Sequence, residues 1–423
     1  MVNPKKRFFH IDVNSAYLSW EAVHHLKHLG GKTDFRKELC AVAGDVELRH
    51  GIILAKSEKA KAFGIHTGES ILEAKRKCPN LLLLRPHYEL YEKCSKAMLG
   101  ILETYSDRVE QYSIDEAFLD MTGSEKLWAD PKDAAWEIKE TIREKLGFSV
   151  NIGISSNKAL AKMASDFRKP DLVHTLYPEE IKEKLWYLPI KELFFVGDAT
   201  ERKLKNLGIF TIGELACTDL EILRTYLKKH GEIIWHFANG RDVSKVLETP
   251  NIQKGYGNSI TIPFDVKDAD LAKQVLLALS ETVSARIRYA QVLTGQVGIR
   301  IKDIFFRNFG HQRSLKNATD VTGEIYEQAC RLFEELWDGH PIRHLGVYAG
   351  KIMGKDTGRQ RVLFEKRDFE KFQKLDQAID EIRKRYGIDS IKRAVFLDSH
   401  IDHMSGGISR EKRTVDEEEK VLW

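Results

Sequence analysis

Three carboxylates, each set at the end of an apolar stretch, are the residues best equipped for chemistry. Asp115 and Glu116 adjoin within 112-YSIDEAFLD-120, with Val109, Tyr112 and Ile114 before them and Ala117, Phe118 and Leu119 after. Asp12 closes another such stretch, 8-FFHID-12. β-formers on both sides of the acidic pair read as strand. In one continuous strand, however, Asp115 and Glu116 would point to opposite faces. A sharp turn between RVEQYSI and AFLDM would put both at a hairpin tip. Carboxylates that close raise each other's pKa unless a cation compensates, and hard oxygen ligands suit Mg²⁺ or Mn²⁺. Three carboxylates brought to one sheet edge can hold two ions roughly 3.5–4 Å apart, the arrangement that drives phosphoryl transfer. Taken alone, the acidic pair reads more often as an exposed turn.

The elements around these acids alternate. Residues 8–12 form a candidate strand, followed by a helical pattern over 15–26, a strand at 52–55 and a short helix over 58–64 closed by Gly64. After LLLLRP at 81–86 come a helix from about 87 to 105, the acidic hairpin, a helix near 132–146, the strand 149-SVNIGIS-155, and a helix from 157 that stops near Pro170. That is a mixed α/β unit. Residues 180–242 read as helices broken by a VGD turn and an LGI turn. The stretch 243–257, with Pro250, Gly255 and Gly257, lacks periodicity and reads as a linker. Residues 258–352 follow the order βαββαβ. The tail beyond carries an amphipathic helix with Phe372, Leu375, Ile379, Ile382 and Tyr386 at three- and four-residue steps, closed by Gly387.

Gross numbers narrow the class. At 423 residues the chain exceeds one core. Its 67 basic and 63 acidic residues leave a net charge of +4, so nucleic-acid affinity would need local patches. The five cysteines are scattered and form no C-x-x-C pair, which argues against a zinc site or a disulfide framework. No apolar run of about 18 residues marks a membrane span. A cytoplasmic chain without a signal peptide is expected.

Four segments taken together give a family resemblance over nearly the whole length. They are 10-HIDVNSAYLSWE-21, 112-YSIDEAFLD-120, 153-GISSNKALAKMASDFRKPD-171 and the tandem helical turns after 188-LPI-190. The set resembles the Y-family translesion DNA polymerases. The resemblance implies a multidomain α/β right hand: palm and fingers over 1–170 with the fingers at approximately 20–76, a helix-hairpin-helix thumb over 171–242, the linker 243–257, a βαββαβ little finger over 258–352, and a tail over 353–423. It also implies a template-directed polymerase that adds dNTPs to a primer 3′ end with two Mg²⁺ ions, or Mn²⁺, at low fidelity. Lesion bypass in an SOS-type DNA damage response would be its task. Two other classes remain open: a palm-fold nucleotidyl cyclase and a non-catalytic damaged-DNA-binding factor.

Position by position, the resemblance makes Asp12, Asp115 and Glu116 the catalytic, metal-binding carboxylates, with the Val13 carbonyl as a further ligand. Tyr17 falls at the steric gate that excludes a 2′-hydroxyl, although an aromatic residue there also suits an amphipathic helix core. Ser57, Lys61 and Lys169 fall where the family faces the triphosphate. Glu58 and Lys61 depart from the family's tyrosine and arginine at that place, which leans toward the DNA polymerase V-like branch rather than the polymerase IV-like one. Gly197 in FVGDA and Gly208 in NLGIF lie in turns whose amides can bind DNA phosphate. The first of these has one glycine and Asp198 where the family has G-x-G, and Asp198 would oppose phosphate unless it caps the next helix.

Basic residues gather at Arg286, Arg288, Arg300, Lys302, Arg307, Arg313 and Lys316, with Asp303 the lone acid among them. Strand alternation puts Arg300 and Lys302 on one face, and with Arg313 they form the expected DNA surface. Finally, 360-QRVLFE-365 resembles a sliding-clamp peptide anchored by Gln360, Leu363 and Phe364. The expected partners are primer-template DNA, dNTP and the clamp, with no membrane, for a monomeric protein.

Overall fold

The computed structural model describes residues 6–44, 51–247, 253–358, 369–397 and 399–404. The expected clamp anchors Gln360, Leu363 and Phe364 lie outside the described residues.

Strand β1 (Phe8–Val13) is buried along its whole length, and helix α1 (Ala16–Lys27) follows it. Strands β2 (Cys40–Ala43) and β3 (Ile53–Lys56) pair antiparallel. After the short helices α2 (Glu58–Ala62) and α3 (Ile71–Lys77), β4 (Leu82–Leu84) joins β2 in parallel. The resulting small sheet β3-β2-β4 packs on Ile65, Ile71 and Leu81. Its central strand, the four-residue CAVA, gave no strand signal: it is short, and alanine is a poor β-former.

Next come α4 (Tyr88–Leu102), β5 (Val109–Gln111), β6 (Glu116–Asp120), α5 (Pro131–Leu146), β7 (Val150–Ser155), α6 (Lys158–Asp166) and β8 (Val173–Thr175). The five-stranded sheet runs β5-β6-β1-β7-β8, with β1 central and antiparallel to both neighbours. Alternation along β1 sends Phe9, Ile11 and Val13 into a core with Tyr91, Met98, Ile138 and Ile142 of α4 and α5. Phe8, His10 and Asp12 take the other face, which α6 covers. Gly153 on β7 allows that close approach, because a Cβ there would lie 2.0 Å from the Ala161 carbonyl oxygen. The helix ends at Asp166, a few residues short of Pro170.

Helices α7 (Ile181–Lys184), α8 (Asp198–Asn206), α9 (Ile212–Cys217), α10 (Leu220–Leu227) and α11 (Lys229–Ala238) share a core that includes Leu160 and Met163 of α6. Gly208, at φ +80, closes α8. Thr211 and Glu214 form a capping box on α9. Beyond α11, Val246 is buried against Phe8, Phe118 and Ala161, so the start of the expected linker lies on the five-stranded sheet.

The last unit is β9 (Gly255–Val266), α12 (Ala269–Tyr289), β10 (Val292–Asp303), β11 (Asn308–Thr319), α13 (Thr322–Leu336) and β12 (Ile342–Gly354). This is the βαββαβ order, in an antiparallel sheet β11-β10-β12-β9. Helix α14 (Phe369–Tyr386) docks back on this unit through polar side chains. Arg288 of α12 lies 3.3 Å from Asp376 and 2.5 Å from Asp380, and Arg383 lies 3.1 Å from Glu281. Phe372, Leu375 and Ile382 of its apolar stripe stay exposed.

Candidate active site

In the β1–β6 ladder Asp12 stands directly opposite Glu116. Opposed residues of an antiparallel pair share a face, so both carboxylates emerge toward α6. The chain reverses just before Glu116. The amides of Tyr112 and Ser113 both donate to the Glu116 carbonyl, at 3.0 and 3.1 Å, and the Asp115 carbonyl accepts the Val13 amide at 3.0 Å. Asp115 thus occupies a hairpin turn fastened to the end of β1. The Ser113 hydroxyl donates to Asp115 Oδ1 at 2.6 Å and lies 3.5 Å from Glu116 Oε2. The sharp turn expected from the sequence is present, and one side chain links its two acids.

Cations stand among them. Lys169 Nζ lies 2.9 Å from Asp12 Oδ2 and 2.8 Å from Asp166. Lys162 Nζ contacts Glu116 and lies 3.9 Å from Asp12. Burial pushes the Asp12 carboxyl up to about 7, against the pull of Lys169 and Lys162. Burial also works against charge on both lysines. For Lys162, Asp166 and Glu116 outweigh it, and for Lys169, Asp12 and Asp166 do, so both lysines are raised. Three carboxylates beside the backbone of Val13 form a hard-oxygen donor set, and the ammonium groups lodged there show that the pocket takes positive charge. These residues fit divalent cations.

Tyr17 on α1 stacks on Tyr91 with ring centroids 4.4 Å apart and planes 9° apart, and Tyr88 meets it edge-on. Burial raises its phenol pKa, and the Asp115 charge adds to that rise. The ring therefore lies within the electrostatic reach of the carboxylate turn. Ser57 and Lys61 are tied to α2 instead. Ser57 Oγ caps the helix by accepting the Ala60 amide at 3.1 Å, and Lys61 forms an exposed 3.7 Å ion pair with Glu58. Sequence reading missed Ser113 and Lys162. For Lys162 there was a signal: a lysine in a helix whose Ala159, Leu160, Ala161, Met163 and Ala164 are all apolar and buried.

The expected DNA surfaces divide. Gly197 precedes α8 with an extended φ of −93. Asp198, the first residue of α8, forms no cap; its exposed carboxylate is held below the usual range by Lys191, 2.9 Å away. On the last sheet, Ile299 and Ile301 face the helices, while Arg300 and Lys302 alternate onto the opposite, open face. Arg300 lies 5.7 Å over the Tyr348 ring. Arg313 sits opposite buried Val297, hence on the helix side, where Glu335 takes it in two 3.0 Å bonds. Arg288 is buried under α14 and leaves the basic group.

Residues 11–166 match the impB/mucB/samB family, and residues 253–363 match that family's C-terminal domain. The chain is 42% identical over 394 residues to the DNA polymerase IV of Clostridium acetobutylicum, covering 93% of this chain and 98% of that one. It is 38% identical to the DNA polymerase IV of Acetivibrio thermocellus over 401 residues, with 93% and 98% covered. With DNA polymerase IV 2 of Bacillus subtilis the identity is 37% over 402 residues, with 93% and 95% covered. The lean toward the polymerase V-like branch finds no counterpart in these names. Among solved structures, a Y-family DNA polymerase chimera, Dbh-Dpo4(243-245)-Dbh, superposes with a TM-score of 0.69 at 20% identity, over 82% of this chain and all of that one. Its likeness gives the fold, a right hand of mixed α/β palm and fingers with a helical thumb and a little finger. By family and relatives, the chain belongs to the impB/mucB/samB family, the Y-family translesion DNA polymerases.

Proposed function

We propose that the chain adds deoxynucleotides to a primer 3′ end on damaged templates by two-metal phosphoryl transfer, within an SOS-type response to DNA damage. The observation that carries this reading is the meeting of Asp12, Asp115 and Glu116 at adjoining strand ends within reach of Tyr17. Asp12, Asp115, Glu116 and the Val13 carbonyl would hold the metal ions. Two Mg²⁺ ions bound there would activate the attacking hydroxyl and stabilise charge on the leaving oxygens. Ser113 holds Asp115 and Glu116 toward one point. Lys169 and Lys162 keep positive charge beside them for an incoming triphosphate, to which a lysine offers a compact charge without fixed geometry. The Tyr17 and Tyr91 stack gives a rigid floor under the sugar, where a 2′-hydroxyl would collide.

The palm and fingers extend to about residue 170, the thumb over 171–242 and the little finger over 258–352. Duplex DNA meets the turns at Gly197 and Gly208 and the open sheet face with Arg300 and Lys302. Arg313 contributes only by leaving Glu335, and Ser57 and Lys61 form an outer edge of the triphosphate site. Gln360, Leu363 and Phe364 dock on a sliding clamp. Among the described residues no helix is long and apolar enough to cross a membrane, and a monomer in the cytoplasm suits all of these roles.

The test is primer extension with Mg²⁺ on intact and abasic templates, supplying dNTPs or NTPs. Wild-type chain extends with dNTPs; Asp115→Ala and Glu116→Ala bind primer-template but do not extend; Tyr17→Ala admits ribonucleotides. Normal extension by both carboxylate variants sinks the mechanism. A cyclase would instead release a cyclic nucleotide without primer, and a binding factor would do neither.

A further inference from the structure

A buried glutamate lies behind the aromatic stack of the candidate active site. Tyr17 and Glu21 stand one turn apart on α1, and His87 and Tyr91 stand one turn apart at the start of α4, so each pair shares a helix face. The two faces meet. While the Tyr17 ring stacks on Tyr91 at 4.4 Å, the Glu21 carboxylate accepts the Tyr91 hydroxyl at 2.5 Å. The same carboxylate accepts the His87 amide at 3.2 Å, and His87 Nδ1 lies 2.9 and 3.0 Å from its two oxygens. Burial and the Glu21 charge both raise the Tyr91 phenol, which keeps its proton in place to donate. Tyr88, from the same turn, meets Tyr17 at 6.2 Å and Tyr91 at 5.8 Å, both edge-on. Two of the rings on which Tyr17 leans therefore come from the helix start that Glu21 holds.

A carboxylate is a costly way to fill such a place. Glu21 is 6% exposed and Tyr91 fully buried, and a buried acid is tolerated only when its oxygens are bonded. An apolar side chain would occupy the same space without that demand. What the carboxylate adds is direction: its bonds fix where the Tyr91 hydroxyl and the first turn of α4 sit. Neither the metal-binding acids nor the lysines beside them use it. We propose that Glu21 is a positioning residue for sugar selection, which through the Tyr91 hydroxyl and the start of α4 fixes the plane against which Tyr17 closes off the space of a 2′-hydroxyl. This rests on the polymerase reading above, in which Tyr17 is the gate.

The experiment measures kcat/KM for a dNTP and for the matching rNTP in single-nucleotide primer extension by the full chain, and takes their ratio. Both substrates are read on one preparation, so the folded fraction cancels and a purely structural role for Glu21 leaves the ratio alone. Glu21→Ala is expected to lower it about tenfold. Tyr91→Phe, which keeps the ring and loses only the hydroxyl, should lower it to a similar extent, and it carries the test if Glu21→Ala fails to fold. The double variant should fall no further than either single one, because both remove the same contact. Glu21→Gln, which keeps an oxygen for the hydroxyl, should retain most of the discrimination. A wild-type ratio in Glu21→Ala or in Tyr91→Phe overturns the proposal, and so does a double variant whose losses multiply. Tyr17→Ala separates the two readings. If it lowers the ratio and the Glu21 and Tyr91 variants do not, the gate stands and Glu21 has no part in it. If it too leaves the ratio at wild type, the gate reading falls and takes the proposal with it.

Discussion

A carboxylate only 8% exposed, as Asp12 is, stays ionised only with positive charge beside it. Lys169 supplies part of that charge, and divalent cations at the hairpin would supply the rest. Chelation should therefore abolish extension, and it should also loosen the turn that holds Asp115. Ser113 is the side chain placed to aim the two hairpin acids at one point. We expect Ser113→Ala to lower kcat about 10- to 100-fold with primer-template Kd and Tm near wild type, and Ser113→Thr to restore most of the rate. An equal loss in the threonine variant would show that the hydroxyl does not act through Asp115. Part of this site was legible: strand-like residues on both sides of an acidic pair left a sharp turn as the reading that brings Asp115 and Glu116 together. Ser113 was not, because a hydroxyl's partner depends on turn geometry that residue types leave open. Ser57 illustrates the reverse case, since a serine followed by 58-EKA-60 also spells a helix N-cap, the role its side chain fills.

Among the elements, α6 does most to build the site. It carries Lys162 across from Glu116 and leads into the loop of Lys169, and it reaches the sheet only because β7 has no side chain at Gly153. A methyl group there would meet backbone atoms at 2.0 and 2.4 Å, which cannot be relieved by a rotamer change. Gly153→Ala should cost about 3 kcal/mol in urea denaturation and reduce extension in the fraction that remains folded, because Lys162 is displaced from Glu116. A stability within a few tenths of a kcal/mol of wild type would mean that α6 is free to shift. The helix was visible in the sequence through its apolar face, while its depth on the sheet was not, since that distance is set by a residue in another element. Helix α14 shows the same limit more sharply. Its apolar stripe was the signal for the helix, yet Gln373, Asp376, Asp380 and Arg383 hold it to the domain, with Asp320, Arg288 and Glu281 from remote parts of the chain. Local periodicity reports where apolar side chains lie, and it carries no information about a buried ion pair whose partner is remote in sequence.

For the molecule as a whole, a net charge of +4 leaves duplex affinity to the way charge is distributed. On the last sheet the two faces differ. One is closed by α12 and α13, and its cation Arg313 is already neutralised by Glu335. The other is open and presents Arg300 and Lys302 with no carboxylate partner in their ladder positions, opposite Gly346 and His344 on β12 and Gly310 and Asn308 on β11. Each cation that neutralises a DNA phosphate releases counterions and steepens the dependence of log K on log salt by about 0.9. Replacing both Arg300 and Lys302 by alanine should therefore flatten that slope by about two units on any duplex sequence. Arg313→Ala should leave the slope nearly unchanged, since it removes a charge that Glu335 already balances. Fluorescence anisotropy of a labelled primer-template across a salt series measures all three. Equal flattening by Arg313→Ala would place the duplex on the helix side as well, and would assign DNA binding to the bulk of the domain rather than to its open face.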